Sequence, residues 1–155
     1  MDKFVKICYV EHESTEQLPP VDAKLLEAAM RATETSYSPY SHFRVGAALL
    51  LADDSIVTGS NQENMAYPSG LCAERTAMFA AGAQHPGVAF KALAIVGRDS
   101  QDEWTSASPC GACRQVMAEY ERLGGSPLRL LLLQKGGKVL EVKGTDSLLP
   151  FSFSM

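Results

Sequence analysis

The chain has 155 residues, 46% of them hydrophobic and 21% charged, which suits one globular domain with its own core and excludes a disordered chain. A formal net charge of −4 with no Lys/Arg run excludes the counterion-release binding of nucleic-acid proteins, and no apolar run approaches the length of a bilayer span. Met1 to Val10 lacks the unbroken apolar centre and small-residue cleavage site of a secretion signal, so the expected compartment is the cytoplasm, with neither nucleic acid nor membrane as partner.

Phe4 to His12 alternates loosely and predicts a short strand, in which Cys8 is a small buried or edge hydrophobe. Glu11 to Pro20 is polar and ends in Pro-Pro, so residues 1–21 read as an N-terminal extension ahead of a single domain spanning 22–155. From Asp22, as N-cap, the stripe Leu25, Leu26, Ala28, Ala29 and Ala32 predicts a helix ending near Thr35. Ser38 to Phe43 is irregular, and Val45 to Leu51 is an apolar strand interrupted by Gly46. The turn Asp53-Asp54-Ser55 joins it to a partner, Ile56 to Ser60, which runs into Asn61-Gln62-Glu63-Asn64.

After the turn Tyr67-Pro68-Ser69-Gly70, a helix with a small-residue face of Ala77, Ala80 and Ala81 runs to Ala83 and ends at Gly82 and His85-Pro86-Gly87. Beside Pro and Gly, His85 reads as a turn residue and not as a metal ligand. Phe90 to Gly97 is a buried strand, and the polar stretch Arg98 to Ser108 holds the only tryptophan, Trp104. Pro109 opens a third helix to about Leu123, closed by Gly124-Gly125. Leu128 to Leu133 and Val139 to Val142 flank Lys135-Gly136-Gly137-Lys138, a hairpin by its turn chemistry. The order predicts an α/β fold, a three-layer α/β/α sandwich with a mixed five-stranded sheet and the last two helices on one face.

The chemistry concentrates in Cys72-Ala73-Glu74-Arg75 and, some three dozen residues on, Pro109-Cys110-Gly111-Ala112-Cys113-Arg114-Gln115. Cys110 and Cys113 share one face if they open a helix, and a helix N-terminus favours thiolate over thiol. Three thiolates with an open fourth position suit a zinc ion that activates water, and an unligated carboxylate two residues from Cys72 suits proton transfer. Glu74 standing alone is equally a solvated acid in a first helical turn. Three thiolates on Zn²⁺ leave a net negative charge, which Arg75 and Arg114 are placed to offset. The bland alternative is a structural zinc knot in a binding module, with a fourth ligand from Cys8 or a histidine. Asn61 and Glu63, two apart at a strand end, point to one side and could hold a sugar hydroxyl from two directions.

A zinc-activated water with a non-ligand Glu and a P-C-x-x-C pair is the arrangement of nucleobase deaminases. The chain resembles the small, homotetrameric, zinc-dependent cytidine deaminases in Ser38-Pro39-Tyr40-Ser41-His42-Phe43, Val45-Gly46-Ala47-Ala48, Gly59, Asn61-Gln62-Glu63-Asn64, Tyr67-Pro68, C-A-E-R, P-C-G-A-C-R-Q and Leu148-Leu149-Pro150. The motifs keep the family's order and span about Leu25 to Phe153; Arg44 departs from the Pro of many relatives. The resemblance implies hydrolytic deamination of free cytidine and 2′-deoxycytidine to the uridines, with release of ammonia, as in pyrimidine salvage. It implies one Zn²⁺ per subunit on Cys72, Cys110 and Cys113, with Glu74 as acid and base. Phe43 would pack at the pyrimidine, Asn61 and Glu63 would hold the ribose 3′-hydroxyl, and Tyr67 and Ala73 would complete the substrate contacts. Phe153 would enter a neighbouring subunit's site, making a homotetramer with shared sites. The alternatives are deamination of another aminopyrimidine or of a nucleoside antibiotic; the blasticidin-type deaminases share the zinc motifs but are not expected to carry N-x-E-N.

Overall fold

In the computed structural model, which describes residues 1–155, the layers follow from the alternation of one central strand. Along β2 (Arg44–Leu51), Ala47, Leu49 and Leu51 enter one core, while Ala48 and Leu50 enter another on the opposite face. The first core packs against α2 (Ala73–Gln84) and α3 (Gly111–Gly124), the second against α1 (Pro20–Ala32). The expected three-layer α/β/α sandwich is therefore present, with both cysteine-bearing helices on one face. Small residues let the layers close: a Cβ on Gly46 would lie 2.0 Å from the Ala29 carbonyl oxygen of α1, and one on Gly59 only 2.5 Å from the Ala77 nitrogen of α2.

The sheet has seven strands and not the expected five. The others are β1 (Tyr9–His12), β3 (Ile56–Ser60), β4 (Phe90–Arg98), β5 (Trp104–Thr105), β6 (Arg129–Leu133) and β7 (Val139–Lys143). Their order is β1-β7-β6-β4-β2-β3, with β5 beside β4. Only β4 and β6, joined through α3, run parallel; every other pair is antiparallel. The two additional strands are β1, expected as a strand of the N-terminal extension but not as part of the sheet, and β5, whose two residues are too few to show an alternation.

The N-terminal extension belongs partly to this sheet. Its strand covers Tyr9–His12 where Phe4 to His12 was expected, and it pairs with β7 along its whole length. Lys138 ties it further, reaching Glu11 at 2.7 Å and Glu13 at 3.3 Å. Cys8 is exposed just before the edge strand β1, so of the buried and edge positions expected of it the buried one is excluded.

Asp22 is not the N-cap of α1. The helix begins at Pro20, with Pro19 in the cap position, because a proline costs nothing in a first turn whose amide is unpaired anyway. Asp22 is instead buried and meets the Arg129 guanidinium of β6 through two bonds of 2.7 and 3.0 Å, while Arg129 also holds Glu141 of β7 at 3.0 Å. This pair fastens α1 to the sheet across the second core. On the other face the Glu121 carboxylate of α3 accepts from the Leu128 amide at 2.7 Å and from the Thr145 hydroxyl at 2.9 Å, setting the start of β6 and the turn after β7.

Candidate active site

Strand register gathers the motifs at one end of the sheet. Gly46 pairs with Ser60 and Arg44 with Arg98, so the start of β2 and the ends of β3 and β4 lie together. The segments before β2 and after β3 and β4 therefore converge, and α2 and α3 begin beyond the last two. Ligands favour the carboxyl ends of strands in open α/β sheets, where helix N-termini also point inward.

Cys72 occupies the N-cap position of α2 and Cys110 that of α3, both with extended backbone; Cys113 lies in the first turn of α3. Their sulfurs lie within 4.8 Å of one another, Cys72 to Cys110 at 3.9 Å and Cys110 to Cys113 at 3.6 Å. These spacings are too long for a disulfide. A tetrahedral zinc with Zn–S bonds of about 2.3 Å sets its sulfurs about 3.8 Å apart, so the geometry and the donor set fit that ion. The Cys72 thiol is lowered to about 5, first by its hydrogen bond with the Cys113 thiol and then, against the cost of burial, by Arg75. Cys113 is raised in turn by that same pairing with Cys72, with burial and the nearby Glu74 carboxylate adding to it.

Glu74, one turn-residue inside α2, is buried; that burial raises its carboxyl to about 7, against the opposing backbone hydrogen bond and with the Cys72 thiolate adding to the rise. The solvated-acid alternative is thereby removed. A buried carboxyl raised toward neutrality, on the helix turn that presents a metal-competent sulfur, can both accept and return a proton. Arg75 directs Nη2 at the Cys72 sulfur from 3.7 Å, while its buried Nε has no partner. Arg114 does not make the expected donation to the sulfurs. Its Nε donates to the Pro109 carbonyl at 2.8 Å and its Nη1 to the Leu148 carbonyl at 2.9 Å, so its hydrogen bonds go to backbone oxygens and not to the sulfurs.

A cavity of about 460 Å³ opens beside Cys72 and Arg75, with Asn61, Glu63 and Tyr67 in its wall. Its frame is backbone: residue 62 bridges to Tyr37 on one side and to Leu71 on the other. Asn61 receives the Ser36 hydroxyl at 2.5 Å and the Val45 amide at 2.8 Å on Oδ1, and its Nδ2 donates to the Phe43 carbonyl at 2.9 Å. One N–H of Asn61 is left over. The Glu63 carboxylate accepts from the Ser41 hydroxyl and, at 2.9 Å, from the Tyr40 amide. These bonds hold its carboxyl below the usual range against the opposing cost of burial.

The remaining expected residues divide. Tyr67 is exposed and meets Tyr40 edge to face at a centroid distance of 6.1 Å. Ala73 is fully buried at the start of α2. Phe43 is half-buried against the α2/α3 core and is not part of the cavity wall; its ring needs Gly97, where a Cβ would come within 3.0 Å of Cζ. Phe153 lies away from this chain's cavity and is largely exposed. Ser36, Ser41 and Gln115 escaped the sequence reading because their partners are distant in the chain, although Ser41 and Gln115 sit inside the quoted motifs. His85 caps the end of α2, 3.8 Å from Asp53, remote from the sulfur cluster.

Residues 19–123 match the model of the cytidine and deoxycytidylate deaminase zinc-binding region. The chain belongs to this deaminase family. A curated relative of this deaminase, the cytidine deaminase of Sporosarcina psychrophila, is 48% identical over 132 residues, covering 84% of this chain and 90% of that protein. A crystal structure of cytidine deaminase from Burkholderia pseudomallei superposes with a TM-score of 0.71 at 43% identity, covering 84% of this chain and 97% of that one. The cytidine deaminase of Mycobacterium tuberculosis gives 0.66 at 35% identity, over 85% and 96%. For this deaminase, as for its family, one zinc ion per chain is the cofactor that the three sulfurs suit.

Proposed function

We propose that the chain hydrolyses free cytidine and 2′-deoxycytidine to the corresponding uridines and ammonia, as a cytoplasmic homotetramer with sites completed across subunits. One observation carries the reading: the buried Glu74 carboxyl stands on the same helix turn as one of three sulfurs set at zinc spacing, and that sulfur opens onto a polar cavity. The relatives named cytidine deaminase supply the substrate. No helix is long and apolar enough to cross a membrane, which accords with the compartment.

Cys72, Cys110 and Cys113 would hold the ion, with Arg75 offsetting the thiolate charge. Zinc, when bound, supplies a Lewis acid that makes water nucleophilic at neutral pH. Glu74 takes a proton from the water that attacks C4 and hands it to N3. It then carries the second proton to the exocyclic amine, the C4–N4 bond breaks, and ammonia leaves a carbonyl at C4. Asn61, with its unspent N–H, and Glu63, whose serine bond a hydroxyl can replace, take the ribose 3′-oxygen. Tyr67 and the Ala73 backbone border the substrate, Phe43 supports the pyrimidine side, and Phe153 is donated to a neighbouring copy. The structural-knot alternative needs a fourth ligand, and Cys8 lies exposed in the N-terminal extension, outside the cluster.

The test is an ultraviolet assay on cytidine, deoxycytidine, cytosine and CMP, run with metal analysis and sedimentation. The two nucleosides should be turned over by protein with one zinc per chain. Glu74→Gln should keep its zinc and lose at least roughly 100-fold in kcat. Unchanged turnover by that variant would remove Glu74 from the mechanism.

A further inference from the structure

The two residues that follow Cys113, Arg114 and Gln115, do something the sulfur chemistry does not require: both bind the main chain of the C-terminal segment. Arg114 spans the Pro109 and Leu148 carbonyls at 2.8 and 2.9 Å, tying the residue before Cys110 to the start of that segment. Gln115 grips its end twice, with the Phe153 amide donating to Oε1 at 3.1 Å and Nε2 donating to the Phe153 carbonyl at 3.0 Å. A primary amide that both accepts from and donates to one residue mimics a strand partner, and it fixes that residue's backbone direction.

The chain turns at Phe151 with φ of +62°, a left-handed conformation that a bulky side chain adopts only under constraint. The Phe153 ring, whose backbone is held so firmly, is 72% exposed. Ordinary docking of an apolar chain end buries the rings and leaves the main chain to water. Here the main chain is bound and the ring is presented.

We infer that Gln115, with Arg114 behind it, is a positioning residue that holds the C-terminal segment against the helix of Cys110 and Cys113 and presents Phe153 outward for insertion into another copy's site. The inference rests on the reading that Phe153 completes a neighbouring site. It adds the device that presents that ring, and it makes the turn carrying two of the sulfurs the reference for the ring's placement. Each subunit thereby couples its own sulfur turn to its neighbour's substrate pocket.

The test uses the full-length zinc-loaded protein and four forms: wild type, Gln115→Leu, Phe153→Ala and the double variant. Gln115→Leu keeps the side chain's bulk and removes both bonds. It should keep zinc and assembly state, raise KM roughly tenfold with a smaller change in kcat, and lose hydrogen-exchange protection at the Phe153 amide. The double variant should be no worse than Phe153→Ala, since a lost clamp cannot misplace a ring that is absent. Gln115→Glu, which can accept from the amide but not donate to the carbonyl, should fall between wild type and Gln115→Leu. Unchanged exchange at Phe153 in Gln115→Leu, or defects that add in the double variant, would overturn the inference. A Phe153→Ala protein with wild-type KM would instead overturn the shared-site reading, and the clamp would then be judged by the exchange data alone.

Discussion

Gly59 is where the sheet meets the backbone of α2, and Gly59→Ala tests whether the position of α2 governs metal binding. The added Cβ would sit 2.5 Å from the Ala77 nitrogen, 2.7 Å from the Ala73 oxygen and 3.0 Å from the Ala77 Cα, all of them backbone atoms that no rotamer change can move. Restoring ordinary contact requires α2 and β3 to separate by roughly 1 Å. Overpacking of this kind costs about 2 kcal/mol, and thermal unfolding should fall by roughly 4–8 °C for a chain of this length. Because Cys72 and Glu74 ride on the first turn of α2, the same shift enters the sulfur cluster directly. Zinc content should drop below one per chain, and kcat/KM by about 100-fold, the usual effect of an ångström-scale misplacement. Gly46→Ala is the comparison, since its Cβ strikes α1 on the opposite face: it should lose stability while the folded protein keeps its zinc. If Gly59→Ala melts with wild type and retains full metal and activity, α2 is not held by this contact and the argument fails.

Asp22→Ala should cost on the order of 3 kcal/mol in urea unfolding, because it leaves the Arg129 guanidinium without its buried two-bond partner. Equal stability would show the pair to be dispensable. Glu141 has its carboxyl held below the usual range, first by its hydrogen bond to His12 and then by Arg129 against the cost of burial. A depressed folded-state pKa stabilises above the unfolded value and is lost as pH falls through the folded one. The stability gap between wild type and Glu141→Gln should therefore be full at pH 7 and close on acidification below about pH 4.5. A gap that widened in acid would contradict the assignment. Arg75→Ala should speed loss of zinc to a chelator, while Lys91→Ala, on the exposed surface, should not. Similar loss rates would remove Arg75 from the charge balance.

Much of the chemistry was legible in sequence because it is local. Spacing alone placed Cys110 and Cys113 on one turn and Glu74 beside Cys72, since helical geometry fixes where residues two or three apart can point. The apolar runs likewise marked the long strands and the three helices, each of which buries a continuous stripe or a whole strand. Short-range pattern suggested β1 but not its place in the sheet, and it could not give the two-residue β5: both are set by the edges that β7 and β4 offer. Nor could it reveal the bonds of Asp22 to Arg129, Arg114 to Leu148 and Gln115 to Phe153, which span 34 to 107 residues. Arg114 looked like a counter-charge because it follows a cysteine; packing instead set carbonyl oxygens within reach of its guanidinium. Sequence thus determined the identity and local grouping of the reactive atoms. Tertiary structure decided which sulfurs meet, what burial does to Glu74, and which way Phe153 faces, because each depends on chain segments brought together only by folding.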